Sequence, residues 1–303
     1  MVFSSRRELK RFLAEDIGKG DLTSKLLIPK KTTARIITRE QTVVAGISFA
    51  KQIFELKGCT ARIITNDGKK AKKNQVILEV KGNASSILTC ERTALNLLSR
   101  MCGIATNTNL LVKILKKNNS RSKLFATRKT APGLRYFDKI AVEIGGGNKH
   151  RMSLYDLIMI KDNHISVESL ESLVKKAKKT KKKIEVEVEN QNDAILAAQL
   201  GVGIIMLDNF TPTRIRSVMT KMKSLGLLKN VKIEVSGGIN KKNIALYGKT
   251  GVDMISVGEI TNSPKGIDLI LEIKLIASIL SVSYKNLRAH ETRHDLVFRL
   301  LLE

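Results

Sequence analysis

The chain is expected to be an α/β protein whose larger part is a barrel of parallel strands. Two observations predict this. First, from residue 124 onward six short apolar runs alternate with amphipathic segments of helical length: LFAT (124–127), LIMI (157–160), IEVEV (184–188), GIIML (203–207), KIEV (232–235) and MISV (254–257). Strands and helices alternating over short loops imply parallel strands joined by right-handed crossovers. Second, every run gives way to a polar or glycine-rich cluster. In a barrel of parallel strands these ends share one face, and that face holds the active site.

The elements follow in order. The N-terminal stretch MVFSSRRELKRFLAED lacks the long apolar core of a signal peptide. Residues 35–38 and 76–80 read as strands, with a turn at 66–68 between them. Residues 91–101 read as a helix, with Ala94, Leu95, Leu97 and Leu98 apolar and Gly103 placed as its C-terminal cap. The chain turns polar at 118–121, which sets a boundary between a first domain, 1–115, and the barrel, 116–263. Within the barrel, SVESLESLVKKAKK (166–179) reads as a helix whose closing lysines suit its dipole. Thr211-Pro212 is a helix start and Gly226 its stop. Ser263-Pro264 is expected to open another helix, and the tail to Glu303 is read as helical and packed on the first domain or a subunit interface.

Composition bounds the function. The 303 residues suffice for one large domain or two ordinary ones, and 43% hydrophobic content supports a substantial core. No run reaches the roughly 18–20 apolar residues of a membrane span, so a cytoplasmic protein without a membrane partner is expected. Cys59, Cys90 and Cys102 form no disulfide framework, and the four histidines show no zinc spacing. The formal charge is +26. Clustered cations suit nucleic acid, but the densest cluster, KKAKKTKKK (175–183), also reads as a solvated helix end and loop. With 4% aromatics there is little for base stacking. The charge can equally steer small acidic substrates.

The strand-end clusters divide by chemistry. Arg128, Lys129, His150, Arg151 and Lys161 form a cationic group, and His150-Arg151 follows the glycine run of IGGGNKHR (144–151). Fork-shaped guanidinia suit a planar carboxylate or a phosphate. Glu187 and Asp208 form an acidic group. Glu185, Glu187 and Glu189 alternate with valines and so face one side of a strand. Either lysines of the site or Mg²⁺ would have to compensate them, and Glu185 has the alternative of a structural pairing lower in the strand. SGGIN (236–240) and SVGEITNS (256–263) are turns whose backbone amides can cradle phosphate. Together these features point to an enzyme that handles a phosphorylated sugar and an acidic co-substrate.

The motifs ERTALNLLSRMCGIAT (91–106), TRKTAPGLR (127–135), GGGNKHRMSLYD (145–156), LIMIKDNH (157–164), IEVEVEN (184–190), IIMLDN (204–209), EVSGGI (234–239) and GVDMISVG (251–258) resemble, in order and spacing, the quinolinate phosphoribosyltransferase family. The resemblance extends from residue 15 to residue 273. It implies an N-terminal α/β sandwich followed by an incomplete six-stranded α/β barrel. It also implies a pentosyltransferase that moves phosphoribose from phosphoribosyl pyrophosphate to quinolinate with loss of carbon dioxide, in the synthesis of NAD. By the same resemblance Arg92, Thr127, Arg128, His150 and Arg151 bind quinolinate, Arg92 by reaching a neighbouring subunit's site, so a homodimer is implied and a higher oligomer left open. Lys129 and Lys161 serve the pyrophosphate and the reacting centre. Glu187 and Asp208 serve the ribose hydroxyls and Mg²⁺, directly or through water, and Ser236, Gly237, Gly238 and Gly258 serve phosphate. The chain departs from the family at Ala131, usually threonine, and at Asn262, usually histidine, which puts a phosphate role at Asn262 in doubt. Two competing readings are a pyrophosphorylase-like paralogue linked to molybdenum transport and a basic nucleic-acid-binding protein.

Overall fold

A computed structural model describes residues 4–273. Its N-terminal part runs α1 (Ser5–Ile17), β1 (Lys31–Thr38), β2 (Thr42–Val43), α2 (Ile47–Glu55), β3 (Thr60–Ile63), β4 (Lys70–Ala71), β5 (Gln75–Asn83) and α3 (Ala84–Lys117). The barrel part follows as β6 (Lys123–Ala126), α4 (Arg135–Ile144), β7 (Asn148–Lys149), β8 (Ile158–Ile160), α5 (Asp162–Ile165), α6 (Leu170–Lys178), β9 (Ile184–Val188), α7 (Gln191–Gln199), β10 (Ile204–Asp208), α8 (Pro212–Ser224), β11 (Lys232–Ser236), α9 (Ile244–Gly248), β12 (Met254–Val257) and α10 (Glu259–Asn262). The last strand, β13 (Leu269–Ile273), returns to the N-terminal part and pairs antiparallel with β1.

The N-terminal sheet has the order β13-β1-β5-β3 and is antiparallel throughout. The second sheet has the order β7-β6-β12-β11-β10-β9-β8, and all its pairings are parallel. All six apolar runs of the sequence are strands of this curled sheet. The seventh strand, β7, is only two residues long and carries no apolar signal.

Alternation sorts the two faces of the parallel sheet. Val186, Val188, Ile205, Leu207, Ile233, Val235, Ile255 and Val257 are buried in the apolar core. The intervening positions are polar or methionine: Glu185 and Glu187, Met206 and Asp208, Glu234 and Ser236, Met254 and Ser256. Register sets their depth. Met206 lies beside both Glu187 and Glu234, while Asp208 lies beside Ser236. The inner face of the barrel is therefore a stack of polar groups that deepens away from the strand ends.

Two helix expectations are corrected. The helix read at 91–101 is part of the 34-residue α3, and Gly103 lies inside it, not at a stop. A Cβ at Gly103 would sit 2.0 Å from the Lys265 carbonyl oxygen, so the glycine serves a close backbone approach. The helix expected to begin at Ser263-Pro264 is also absent. After α10 the chain is extended, Ile267 N–H bonds Ser99 O, Ser99 Oγ bonds Ile267 O, and LILEI then enters the N-terminal sheet. Pairing with β1 decides between strand and helix for a run that suits either. The tail reading beyond residue 273 lies outside the described residues. Elsewhere the punctuation holds: Thr211 caps α8 by accepting from Arg214 N, and Gly226 takes a left-handed φ of 72°.

Charged groups also tie the two parts together. Arg100 on α3 grips Asp138 on α4 through two hydrogen bonds of 2.7 and 2.8 Å and reaches Thr261 O at 3.1 Å. Asp138 is wholly buried. Burial, only partly offset by Arg100, holds its carboxyl above the usual range.

Candidate active site

The strand ends of the barrel open on a cavity of about 320 Å³, a volume suited to a small ligand. Thr127, Arg128, Lys129, His150, Arg151, Lys161, Glu187, Asp208 and Ser236 all line it, as does a set not singled out from sequence: Met159, Met206, Glu234 and Ser256. Residues spread over more than a hundred positions thus converge because each lies in, or closely follows, a parallel strand.

The loop after β6 is fixed by threonines more than by its Pro-Gly turn. Thr127 Oγ1 accepts from Lys129 N at 3.1 Å, Thr130 N–H bonds Arg128 O at 2.9 Å, and Thr261 Oγ1 bonds Lys129 O at 2.9 Å. Arg135 Nε donates to Thr130 Oγ1. Pro132 and Gly133 are exposed, and Gly133 supplies the positive φ of 79° that the turn needs. Gly258 packs against the same loop, where a Cβ would lie 3.2 Å from Lys129 Cδ.

The cations are held differently. Lys161 is bonded to Glu187, and its backbone N–H is capped by His164 Nδ1 at 2.9 Å. Arg151 is buried and gives Nη1 to the carbonyls of Leu154 and Leu157. Burial first, then repulsion from Arg128, holds Arg151 below its usual value. The Nε groups of both Arg128 and Arg151 are buried without a partner. Buried donors are almost always satisfied, so two adjacent guanidinia with open donors mark a place for an anion.

Beneath them lies an arrangement that alternation hinted at but did not define. His150 Nε2 meets Glu185 Oε2 at 2.8 Å and Glu234 Oε2 at 3.8 Å, and Ser256 Oγ donates to Glu234 Oε1 at 2.6 Å. Of the three carboxylates on IEVEVEN, Glu185 is fully buried, Glu187 faces the cavity, and Glu189 is exposed past the strand end. The structural alternative for Glu185 is thus the one realised. Behind His150, the buried Lys139 donates to Ala126 O and His150 O, each at 2.7 Å. Burial and then the nearby Arg135 push its amine down to about 7, and a neutral amine still supplies both hydrogen bonds.

The glycine turn after β11 is built around Asn209. A Cβ at Gly237, where φ is 95°, would stand 2.1 Å from Asn209 Oδ1 and 2.7 Å from its backbone N. Gly238 has a φ of 59° with open space beside it. Asp208 accepts from Asn209 Nδ2 at 2.7 Å. Asn262 is exposed, bonds Ser263 Oγ, and is not part of the cavity lining. Arg92 is not brought to the cavity of its own chain. It is exposed on α3 and lines a separate cleft with Glu40, Asn96 and Lys265.

Comparison with known proteins agrees with this fold. The family model for "Quinolinate phosphoribosyl transferase, C-terminal domain" matches residues 104–272, and that for the N-terminal domain matches residues 21–102. A probable nicotinate-nucleotide pyrophosphorylase [carboxylating] of Methanothermobacter thermautotrophicus is 41% identical over 272 residues, spanning 88% of this chain and 98% of that protein. The corresponding protein of Archaeoglobus fulgidus is 43% identical over 256 residues, 84% of this chain and 98% of its own. The solved nicotinate-nucleotide pyrophosphorylase of Francisella tularensis superposes with a TM-score of 0.83 at 40% identity, covering 89% of this chain and 96% of that one.

Proposed function

The chain belongs to the quinolinate phosphoribosyltransferase family, and from that premise we propose that it makes nicotinate mononucleotide from quinolinate and phosphoribosyl pyrophosphate, releasing pyrophosphate and carbon dioxide. The observation that carries this reading is the pair of buried, unpartnered Nε donors on Arg128 and Arg151 at the edge of a cavity that also holds Glu187 and Asp208. A dicarboxylate fits the cations, and a phosphorylated ribose fits the acids and the glycine turns.

In this reading Arg128 and Arg151, with Thr127 and His150, hold the two carboxylates and set the ring nitrogen toward the ribose. The bond from ribose C1 to pyrophosphate breaks as the bond from C1 to the ring nitrogen forms. Positive character on the ribose is stabilised by Glu187 and Asp208, and Lys129 and Lys161 offset the charge of the leaving group. The bond to the 2-carboxylate then breaks. Its electrons fall to the ring carbon beside the cationic nitrogen, carbon dioxide leaves, and a proton takes its place. Ser236, Gly237, Gly238 and Gly258 offer backbone amides to phosphate.

Glu187 and Asp208 are hard oxygen donors beside a solvent-open cavity, and Asp208 has no cation partner of its own among the described residues. The pair fits Mg²⁺, which favours one or two carboxylates together with substrate phosphates. When bound, the ion would neutralise pyrophosphate charge. The exposure of Arg92, away from its own cavity, supports a homodimer in which it completes the partner's site. We place the reaction in the cytoplasm, without nucleic acid or membrane as partner; no described helix is long and apolar enough to cross a membrane.

Steady-state assays with phosphoribosyl pyrophosphate, Mg²⁺ and either quinolinate or nicotinate test the reading. Stoichiometric carbon dioxide and nicotinate mononucleotide from quinolinate are expected. Turnover of nicotinate alone would overturn it.

A further inference from the structure

Two carboxylates, Glu185 and Glu234, have 0% exposure; Glu234 lines the cavity and Glu185 lies beneath it, against His150. One oxygen of each, Glu185 Oε1 and Glu234 Oε2, has no hydrogen-bond partner. Burying two anions in this way is costly unless a cation compensates them. The cation-capable side chain within 4 Å of both is His150. The charged groups that face its ring are Glu185 from β9, Glu234 from β11 and Lys139 from α4, with Phe125 of β6 edge-on at 5.9 Å. Lys139 makes no ion pair with either carboxylate; its Nζ donates to two backbone carbonyls.

Resting on the function proposed above, we propose that Glu185, backed by Glu234, is a positioning residue that clamps His150 as an imidazolium and leaves its second ring N–H for a quinolinate carboxylate. The Nε2–Glu185 bond consumes one ring nitrogen. Nδ1 makes no hydrogen bond within the described chain, and the ring lines the cavity. A neutral imidazole donating to Glu185 would present a bare acceptor at Nδ1 and repel a carboxylate. An imidazolium presents a charge-assisted donor. The electrostatics support the geometry. Burial alone would lower the His150 value, but the hydrogen bond to Glu185 and the charges of Glu185 and Glu234 outweigh it and raise it. Burial, then the charge of Glu185, pushes Glu234 up to about 7, and the contacts to His150, 2.8 Å from Glu185 against 3.8 Å from Glu234, make Glu185 the principal partner and Glu234 the weaker one.

The same three side chains have the composition of a cation site, with donor atoms within 4.8 Å of one another. The guanidinia of Arg128 and Arg151 border the same cavity and disfavour a divalent ion more than the single charge of a proton on His150. A metal ion is an outcome the test must separate.

The experiment combines kinetics with NMR on the full-length enzyme. Initial rates against pH are measured for wild type, Glu185→Gln and Glu234→Gln, varying quinolinate and phosphoribosyl pyrophosphate separately. Losing a charge-assisted contact predicts a rise of about tenfold or more in KM for quinolinate with Glu185→Gln near pH 8. The rise with Glu234→Gln is smaller, and KM for phosphoribosyl pyrophosphate stays within about twofold in both. The ¹⁵N ring signals of His150, assigned by their loss in His150→Asn, are followed from pH 5 to 9. They are expected to report a cation at pH 7 in the wild type and a neutral ring in Glu185→Gln. A neutral ring in the wild type, an equal effect on both KM values, or a Zn²⁺-induced shift of the ring signals that persists in an Asp208→Asn background would overturn the proposal. If Glu185→Gln does not fold, the wild-type titration and Glu234→Gln still decide it. The titration needs no turnover, so absence of quinolinate turnover refutes the enzyme assignment without touching the imidazolium result.

Discussion

Replacing Arg100 by Met should destabilise the protein far more than replacing its partner Asp138 by Leu. Both Arg100–Asp138 hydrogen bonds are short, at 2.7 and 2.8 Å, but the two side chains differ in burial: Asp138 has 0% exposure and Arg100 22%. Removing the arginine strands a carboxylate where water cannot reach it, at a cost of about 3–5 kcal/mol. Removing the aspartate leaves a guanidinium that can turn its charge toward solvent and keep its bond to Thr261 O, so the cost is about 1–2 kcal/mol. The Arg100→Met/Asp138→Leu double variant removes both charges and should recover most of the single loss, because apolar replacement of a buried pair is often neutral. Urea unfolding of the four proteins at pH 7 measures the cycle. A second signature is pH. The Asp138 carboxyl already sits above its usual value, and losing Arg100 raises it further. A group with a raised folded value contributes stability that is present at low pH and lost as pH rises through that value. The deficit of Arg100→Met relative to wild type should therefore shrink between pH 7 and pH 5. Equal costs for the two single variants, or a double variant as unstable as their sum, would refute this account of how α3 is joined to the barrel.

Three further outcomes follow from the geometry. Gly237→Ala should raise KM for phosphoribosyl pyrophosphate at least tenfold and cost about 1–3 kcal/mol, because the new Cβ meets Asn209 at 2.1 Å and φ is 95°; Gly238→Asn, with open space and a φ that asparagine tolerates, should cost under about 1 kcal/mol. Arg92→Ala should be inactive alone yet regain activity when mixed with an Asp208→Asn chain, as read by assay of co-expressed heterodimers, whereas mixtures that remain dead would argue against a shared site. Glu234 has a folded value raised to about 7, so its contribution to stability is full below about pH 4.5 and lost as pH climbs to about 7; Glu234→Gln should thus gain on wild type across that window, by up to about 3 kcal/mol, in denaturant melts at each pH.

What the sequence disclosed and what it withheld have distinct physical causes. The six barrel strands were legible because each is a short apolar run bounded by turn residues, and the site was legible because parallel strands put all their ends together. Nine of the thirteen expected site residues line the cavity, each in or shortly after a barrel strand. Depth in the barrel depends on the exact register. Glu185 and Glu187 share a face by alternation alone, but pairing with Ile204 and Met206 sets one below the cavity and the other on its wall. Nothing local marks that difference. Gly103 was misread for a similar reason, since a glycine required for close approach to Lys265 looks the same in sequence as one required for positive φ. LILEI was misread because its partner, β1, lies far upstream, and pairing overrode a run with no fixed preference. The charged pair Asp138-Lys139 on α4 was overlooked because adjacent charges on a helix normally face water. Here one is held by Arg100 from α3 and the other by two carbonyls at the strand ends. In each case the missing information is a tertiary partner distant in sequence. The residues that line the cavity were therefore easier to read than the buried residues packed beneath them, which makes the floor of the barrel, Glu185 above all, the place where substitution tests the most.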